Sequence, residues 1–327
     1  MLKSDTLANN ITILVNSCDS YADLWTPFFT LLKRYWNPQG IDIILNTESL
    51  NFELDGLDIK CIHPENINFP YGKRIINALS YVKTKYIVLM LDDFFLRKQV
   101  DTKRIAKILD YMENDSSIVY FNCDYTPVYY DWEVDKYPGF KRIPPGNDYT
   151  LNMQAAIWRT EELIKYWQND VSPWEWETVC NFAAADSKKY KFYCSTDYNS
   201  GFCDYGHDKP YSFGVIKGKW NLEDVLPLFA KENIDIDFSL RGKYKKEKYK
   251  EEKLDIKQCF KRAFVSDIIN RCLPQYRFSY FVMGFAYIII LFRNLVLKKG
   301  LVSPEKSFIY YKTQRIKNKF LKKQRGI

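Results

Sequence analysis

The chain has 327 residues, of which 46% are hydrophobic and 17% aromatic, a composition that excludes an intrinsically disordered protein. Its formal net charge is +8, but residues 298–327 carry eight Lys and two Arg against one Glu, a local balance of +9. The rest of the chain therefore carries about −1, and such a nearly neutral body argues against nucleic-acid binding.

The eight cysteines include no C-x-x-C pair, so neither a zinc ribbon nor a thioredoxin motif is indicated. The first ten residues are polar and do not resemble a secretory signal. We therefore expect a reduced, cytoplasmic protein whose length allows one large α/β core with an appendage.

Apolar runs and helical patterns alternate along the first 200 residues. The predicted elements, in chain order, are strand Ile11–Asn16, helix Asp23–Trp36, strands Ile41–Leu45 and Asp58–Ile62, helix Gly72–Val82, strand Tyr86–Leu91, helix Thr102–Asn114, strands Ser117–Asn122 and Leu151–Trp158, helix Thr160–Trp167 and strand Tyr190–Ser195. This β-α-β alternation predicts an α/β fold with a doubly wound sheet flanked by helices. In such sheets, ligands bind in the crevice outside the carboxyl ends of the strands.

Two adjacent carboxylates, Asp92 and Asp93, directly follow the most apolar strand, 86–91. At the rim of a sheet they suit a hard divalent cation that also contacts substrate phosphates; the alternative is a polar strand end before a turn. Asp19 and Glu48 follow the first two strands, so we expect them in the same crevice. The chain has neither a G-x-G-x-x-G nor a Walker motif, which argues against dinucleotide-dependent redox chemistry and P-loop phosphoryl transfer.

Residues 16–29, followed by 86–96, resemble bacterial glycosyltransferases of the GT-A fold, near the family 2 enzymes of capsule and lipopolysaccharide synthesis. The resemblance covers about residues 10–222. It implies a Rossmann-like mixed sheet, a nucleotide-sugar donor in the crevice, and a D-x-D-type site for Mn²⁺ or Mg²⁺ at Asp92 and Asp93, although this chain has Asp-Asp-Phe there.

The same resemblance implies that the base and ribose of the donor bind near Asp19 and Glu48. The alternative for both is a helix-initiating or turn carboxylate. Lys73 and Arg74, in the first turn of a predicted helix, are candidates for the donor diphosphate or for a solvated helix face.

The acceptor half begins with an irregular stretch, residues 124–150, that is rich in aromatic side chains. They are Tyr125, Tyr129, Tyr130, Trp132, Tyr137 and Phe140. Such a stretch could stack its rings on sugars or close over the site as a lid. The equal alternative is a loop that packs on the core.

A helix start at Ser172 is the second informative stretch. Ser172 at the N-cap, Pro173 after it and Glu175 three residues after the cap form a capping box, so Glu175 is expected to bond the Ser172 N–H. The resemblance implies an acidic catalytic base on such a helix start, and Glu177, which has no capping role, is the first candidate, with Glu175 the second. The alternative is a plain amphipathic helix start.

Two further site candidates follow from the resemblance. His207, in a late loop, would supply another metal ligand, or is simply a surface histidine. Residues 214–220 resemble the closing loop of the family, in which Lys217 and Lys219 would neutralise the leaving diphosphate.

The charged run 241–253 suggests a domain boundary, giving a catalytic domain at 1–235, a linker at 236–255 and a helical, basic region at 256–327. Residues 278–292 carry no charge but are shorter than the ~20 residues of a spanning helix. With the basic tail they predict an interfacial helix on the anionic inner face of the cell membrane. The alternatives are a helix buried against the catalytic domain and a re-entrant or tilted span.

The sequence thus predicts a metal-dependent, inverting glycosyltransferase that moves a sugar from a nucleotide-diphosphate donor to a lipid-linked or glycan acceptor in surface polysaccharide synthesis. A sugar-phosphate nucleotidyltransferase is the nearest alternative, although Ser17-Cys18-Asp19-Ser20 is not the Gly- and Lys/Arg-rich loop expected there. A non-catalytic membrane-surface protein is the alternative from another class.

Overall fold

The computed structural model describes residues 5–123, 137–143, 151–167, 170–177, 180, 189–196, 201–206 and 213–245. His207, most of the aromatic stretch 124–150 and the basic region 256–327 with its uncharged run 278–292 lie outside the described residues. Among the described residues, no helix has the length and apolarity needed to cross a membrane.

Eight strands of the described chain form one mixed sheet. They are β1 (Ile11–Asn16), β2 (Asp42–Asn46), β3 (Ile59–Ile62), β4 (Tyr86–Leu91), β5 (Ile118–Asn122), β6 (Phe140–Ile143), β7 (Ala156–Arg159) and β8 (Lys191–Ser195). Their order across the sheet is β3-β2-β1-β4-β7-β5-β8-β6. The first four run parallel, β7 runs antiparallel to both its neighbours, β5 and β8 are parallel, and β6 is antiparallel to β8. The predicted α/β fold with a mixed sheet is confirmed.

Helices flank the sheet on both faces. They are α1 (Asp5–Ala8), α2 (Ala22–Tyr35), α3 (Tyr71–Ser80), α4 (Thr102–Asn114), α5 (Thr160–Leu163), α6 (residues 173–177 and 180) and α7 (Leu222–Glu232). A 3₁₀ turn, Asp19–Tyr21, precedes α2, and a two-stranded hairpin, β9 (Val215–Ile216) with β10 (Lys219–Trp220), precedes α7.

The apolar run of β4 is explained by burial on both faces. Val88 and Met90 belong to the core shared with α2, α4 and α7, whereas Ile87 and Leu89 belong to the core shared with α3, α5 and α6. Successive side chains of a strand point to opposite faces, so a strand covered on both sides must be apolar at every position.

Two predicted elements differ from the structure. The strand predicted from Leu151 begins only at Ala156, because residues 151–155 are bent and the Asn152 side chain accepts a hydrogen bond from the backbone of Gln154 at 3.0 Å. A bond from a side chain to the local backbone, such as that of Asn152, competes with strand pairing. The helix predicted over 160–167 divides into α5 and a 3₁₀ turn, Ile164–Tyr166.

Residues after α7 continue along the side of the sheet that carries α2 and α7. Ile234, Ile236 and Phe238 pack against that core, and the Phe238 ring lies 5.4 Å from the ring of Trp220 in β10. The segment 236–245 is therefore packed on the sheet domain.

Candidate active site

The carboxyl ends of β1, β2 and β4 meet at one edge of the sheet. The parallel register pairs Asn16, the last residue of β1, with Asn46 in β2 and with Leu91 in β4. Asp19, Glu48 and the Asp92–Asp93 pair follow these strands within three residues. These carboxylates therefore lie at one edge of the sheet.

Asp92 is 3% exposed and is held by a polar relay from α2. It accepts a short hydrogen bond from Ser17 Oγ, and this hydroxyl accepts one from the Trp25 indole N–H at 2.7 Å. Burial, followed by the neighbouring charge of Asp93, raises the pKa of Asp92 well above its usual range. No local sequence pattern indicates that Ser17 and Trp25 orient this carboxyl group.

Asp93 is only partly paired. Its Oδ1 is buried and has no hydrogen-bond partner among the described residues. Burial raises the pKa of Asp93 to about 6, against smaller opposite effects of a hydrogen bond from its own backbone N–H and then of the Arg241 guanidinium. A buried carboxylate oxygen without a partner is costly, because desolvation is not compensated.

This donor set fits a divalent cation. Mg²⁺ and Mn²⁺ bind through one or two carboxylates with the remaining positions filled by water and substrate phosphates. Among the described residues, no group of three or more His, Cys, Asp or Glu side chains is gathered for a metal, so Asp92 and Asp93 would hold it with the substrate.

Asp19 and Glu48 bind each other's loops reciprocally. The Asp19 carboxylate accepts hydrogen bonds from the backbone N–H groups of Glu48 and Ser49, both at 3.1 Å, and from Ser49 Oγ at 2.5 Å. Glu48 in turn accepts a short bond from the Asp19 N–H. Burial alone would raise the pKa of Asp19, but these bonds outweigh it and lower that pKa. The two carboxylates therefore hold the loops after β1 and β2 together.

Arg74 and Lys73, at the start of α3, are separated by their partners. Arg74 is almost buried and pairs with Glu48 at 2.5 Å. Lys73 lies over the ring of Phe69, with Nζ 3.5 Å from the ring centroid. Arg74 is thus linked to the sheet edge by its ion pair with Glu48, whereas Lys73 is held against Phe69 on the loop before α3.

The hairpin formed by β9 and β10 is attached to the backbone of Asp93. Gly214 donates to the Asp93 carbonyl at 3.1 Å, and a Cβ at this glycine would lie 2.2 Å from the Phe95 ring, so only glycine permits the contact. The turn residues Lys217 and Gly218 have φ values of 51° and 73°, as a two-residue hairpin turn requires. Lys217 and Lys219 are exposed on this hairpin.

Arg241 is the main residue of the site that the sequence did not reveal. Its guanidinium forms two bonds with Asp23, one from Nε at 2.8 Å, and donates to the carbonyls of Ser20 at 3.0 Å and Gly218 at 3.2 Å. The group also lies 4.4 Å from the ring centroid of Tyr21. It joins the segment after β1 to the hairpin.

The charged run that begins at Arg241 concealed this role. A usable signal precedes it: Ile234, Ile236 and Phe238 alternate with polar residues, a pattern typical of a segment with one buried side. This alternation indicates that the packed chain continues to Arg241.

The capping box at the start of α6 is confirmed. The Ser172 N–H donates to Glu175 Oε2 at 2.8 Å, and the Glu175 N–H donates to Ser172 Oγ at 3.3 Å. Trp174, beside this pair, is 77% exposed, whereas Trp176 is buried and stacks on Trp167.

Glu177 faces the sheet edge and not the capping box. Its Oε1 accepts from the Met153 N–H at 3.0 Å, and burial raises its pKa against the lowering effect of that bond. The antiparallel register pairs Leu89 with Ala156. Because β4 and β7 are antiparallel, the turn after β4, which carries Asp92 and Asp93, and the bent segment before β7, which includes Met153, leave the sheet at the same edge. Glu177, through its bond to Met153, is therefore attached to the edge that carries the Asp92–Asp93 pair.

Comparison with known proteins found no matching family model and no matching curated protein. Among solved structures, residues 1–349 of S. aureus TarS align over 97% of this chain and 92% of that chain, with 12% identity and a TM-score of 0.39. The same TarS fragment in complex with UDP-GlcNAc aligns over 97% of this chain and 92% of that chain, with 12% identity and a TM-score of 0.38. A cytidylyltransferase from Leptospira borgpetersenii aligns over 72% of this chain and 98% of that chain, with 12% identity and a TM-score of 0.38. Similarity at this level does not place the chain in a family.

Proposed function

We propose that this protein is a glycosyltransferase of the GT-A type, which uses a nucleotide-diphosphate sugar and a divalent cation. The observation that carries the proposal is the pair Asp92 and Asp93, which lies at the carboxyl ends of parallel strands with a buried Asp93 oxygen that no described residue satisfies. A divalent cation held by these two carboxylates would satisfy that oxygen.

The charges around the crevice support a divalent ion. The guanidinium of Arg241 is bonded to Asp23, and that of Arg74 is paired with Glu48. Each of these arginines therefore neutralises its own carboxylate, and the charge of the Asp92–Asp93 pair is left for a bound cation. When bound, the metal would act as a Lewis acid for the departing diphosphate.

The cationic side chains at the crevice give the donor phosphates a second set of partners. Lys217 and Lys219 are exposed on the hairpin that is bonded to Asp93. Positive groups placed where negative charge develops stabilise the transition state. This arrangement supports a leaving nucleoside diphosphate.

Glu177 is the proposed general base. Its raised pKa and its attachment to the sheet edge that carries Asp92 and Asp93 suit removal of a proton from an acceptor hydroxyl. Direct attack by that hydroxyl on the donor carbon would invert its configuration. The exposed indole of Trp174, on the same helix start, offers a flat apolar surface for an acceptor sugar.

A screen of nucleotide sugars by thermal shift, with and without Mn²⁺, tests the proposal. We expect one UDP-, GDP- or CDP-sugar to stabilise the wild-type chain only when the metal is present. Product analysis then separates the two transferase classes, because a glycosyltransferase releases a nucleoside diphosphate and a nucleotidyltransferase releases pyrophosphate. Stabilisation by no nucleotide sugar would contradict the proposal.

The acceptor side of the proposal rests on the sequence. The uncharged run 278–292 and the basic residues of 298–327 support attachment to an anionic membrane, where lipid-linked acceptors are found. Truncation after residue 255 should then abolish binding to vesicles that contain anionic lipid while donor binding remains. Loss of donor binding in a folded truncated chain would contradict this division of roles.

A further inference from the structure

Arg241 connects three segments that are distant in sequence. Its guanidinium bonds the Asp23 carboxylate at the start of α2, the Ser20 carbonyl in the turn after β1 and the Gly218 carbonyl in the hairpin turn. The side chain is 8% exposed, and that of Asp23 is 13% exposed. Four bonds from one buried guanidinium fix its position and, through it, the separation of these segments.

The backbone around Arg241 reinforces the connection to the hairpin. Trp220 in β10 donates to the Gly242 carbonyl at 3.0 Å, and Tyr244 donates to the Trp220 carbonyl at 2.8 Å. At its other end, the hairpin is attached to the metal-site pair through the bond from Gly214 to the Asp93 carbonyl. The hairpin is therefore fixed on one side by Asp93 and on the other by Arg241.

We propose that Arg241 is a positioning residue for the donor: by bonding Asp23, Ser20 and Gly218, it holds the hairpin that carries Lys217 and Lys219 against the metal-site edge. The inference rests on the proposed function for the identity of the ligand. The hold on the hairpin itself follows from the contacts alone. Without Arg241, the turn would lose its side-chain link to the β1 edge, and the lysines would lose a fixed distance from the donor phosphates.

Arg34 provides a matched control on the same helix as Asp23. It pairs with Glu232 at 2.5 Å and joins α2 to α7, so it is also an arginine that links two elements through a carboxylate. It lies 11 residues after Asp23, which places it about 16 Å along the helix axis from the site. Arg34→Gln should therefore affect stability and leave the hairpin unchanged.

The test combines hydrogen exchange with donor affinity in the full chain. In Arg241→Gln, the amides of residues 213–222 should exchange roughly 10-fold faster, and the donor dissociation constant should rise roughly 10- to 100-fold, as expected for lost bonds to a charged group. The rate at saturating donor should fall as well, because the displaced lysines stabilise the leaving diphosphate less. Asp23→Asn should show the same pattern, and the double variant should be less than additive. Arg241→Lys, which keeps the charge without the planar fork, should be intermediate and serves if the Gln variant does not fold.

The outcomes separate this inference from the proposed function. A wild-type chain that binds no nucleotide sugar contradicts the proposed function, whatever the exchange data show. Equal exchange of residues 213–222 in wild type, Arg241→Gln and Arg241→Lys contradicts the hold on the hairpin, even if the donor binds. Faster exchange with unchanged donor affinity, or the same donor loss in Arg34→Gln, contradicts the positioning role.

Discussion

Buried carboxylates at the two ends of helix α2 have opposite surroundings. Glu232, near the carboxyl end of the helix, accepts a hydrogen bond from the Tyr35 hydroxyl at 2.5 Å and pairs with Arg34 at 2.5 Å. Burial raises the pKa of Glu232, but these bonds outweigh burial and bring it to about 2. At the other end of α2, burial raises the pKa values of Asp92 and Asp93, and one Asp93 oxygen has no partner among the described residues.

The difference indicates what each group does. A carboxylate whose hydrogen-bond partners lower its pKa stabilises the fold, whereas a pair whose pKa values are raised by burial, with one oxygen left without a partner, costs stability until a ligand binds it. We therefore assign Glu232 to stability and the Asp92–Asp93 pair to ligand binding. The predictions below test this division.

The largest expected effect is on turnover in Asp92→Asn and Asp93→Asn. Each variant removes one of the carboxylates that would hold the metal. Because the Lewis-acid effect of the metal is worth several kcal/mol, the transfer rate should fall by roughly 10³-fold or more. The melting temperature without metal should be unchanged or higher. The measurement is steady-state transfer with Mn²⁺ next to a thermal melt, and normal turnover of either variant in the presence of a chelator would refute the metal-site assignment.

The next effect sharpens the comparison between two glutamates on one helix start. Glu177→Gln should lower the transfer rate by roughly 10²- to 10⁴-fold, the range for loss of a general base, with donor affinity unchanged. Glu175→Gln should be mild, because Gln also forms the capping box, and Glu175→Ala should cost about 1 kcal/mol of stability. A slow Glu175→Gln next to a fast Glu177→Gln would exchange the two roles.

Glu232→Gln should show the reverse of the Asp93 pattern. The substitution removes the charge of the group that accepts from Tyr35 and pairs with Arg34. It should lower the free energy of unfolding by about 2 kcal/mol at pH 7, because hydrogen bonds to a charged group are lost. Activity per folded molecule should stay at the wild-type level. Urea denaturation and transfer assays at a temperature where the variant is folded would check both, and lost activity in a fully folded variant would break the comparison.

The smallest effect is the pH dependence of stability. The folded pKa of Asp93 is raised from 3.8 to about 6, so its charge destabilises the metal-free protein above pH 6, and this penalty disappears below pH 4. Asp93→Asn should therefore gain on the order of 1 kcal/mol at pH 7.5 and nothing at pH 4, the gain being limited because Asp93 as a whole is only half-buried. For Glu232, whose pKa is lowered, the wild-type advantage should persist above pH 4.5 and be lost towards pH 2. A pH-independent difference for Asp93→Asn would contradict the buried, unpaired environment.

Helices and strands with a strong apolar pattern were predictable from the sequence. The strand at Ile11–Asn16 and the helix at Thr102–Asn114 have the predicted bounds, and β4 is buried as its six apolar residues indicate. The strand predicted from Leu151 was wrong in its first half, because the Asn152 side chain bonds the local backbone in a way that apolar periodicity does not show.

The site was predictable where it depends on strand ends or local motifs. The common edge of Asp19, Glu48 and Asp92 follows from topology, and the Ser172–Glu175 capping box follows from residue spacing. Arg241 was missed because its partner Asp23 is 218 residues away and no local pattern connects the two. Long-range pairs of charged residues require the folded chain to be seen.

Titration calorimetry of Mn²⁺ in the presence of the nucleoside diphosphate selected by the screen tests the central claim most directly. Wild type should bind one Mn²⁺ per chain, Asp93→Asn should show no binding, and Glu232→Gln should bind as wild type does, because only the Asp92–Asp93 pair is expected to hold the metal. Binding of Mn²⁺ by Asp93→Asn with wild-type affinity, or loss of binding in folded Glu232→Gln, would contradict the division between a ligand-binding and a stabilising end of α2.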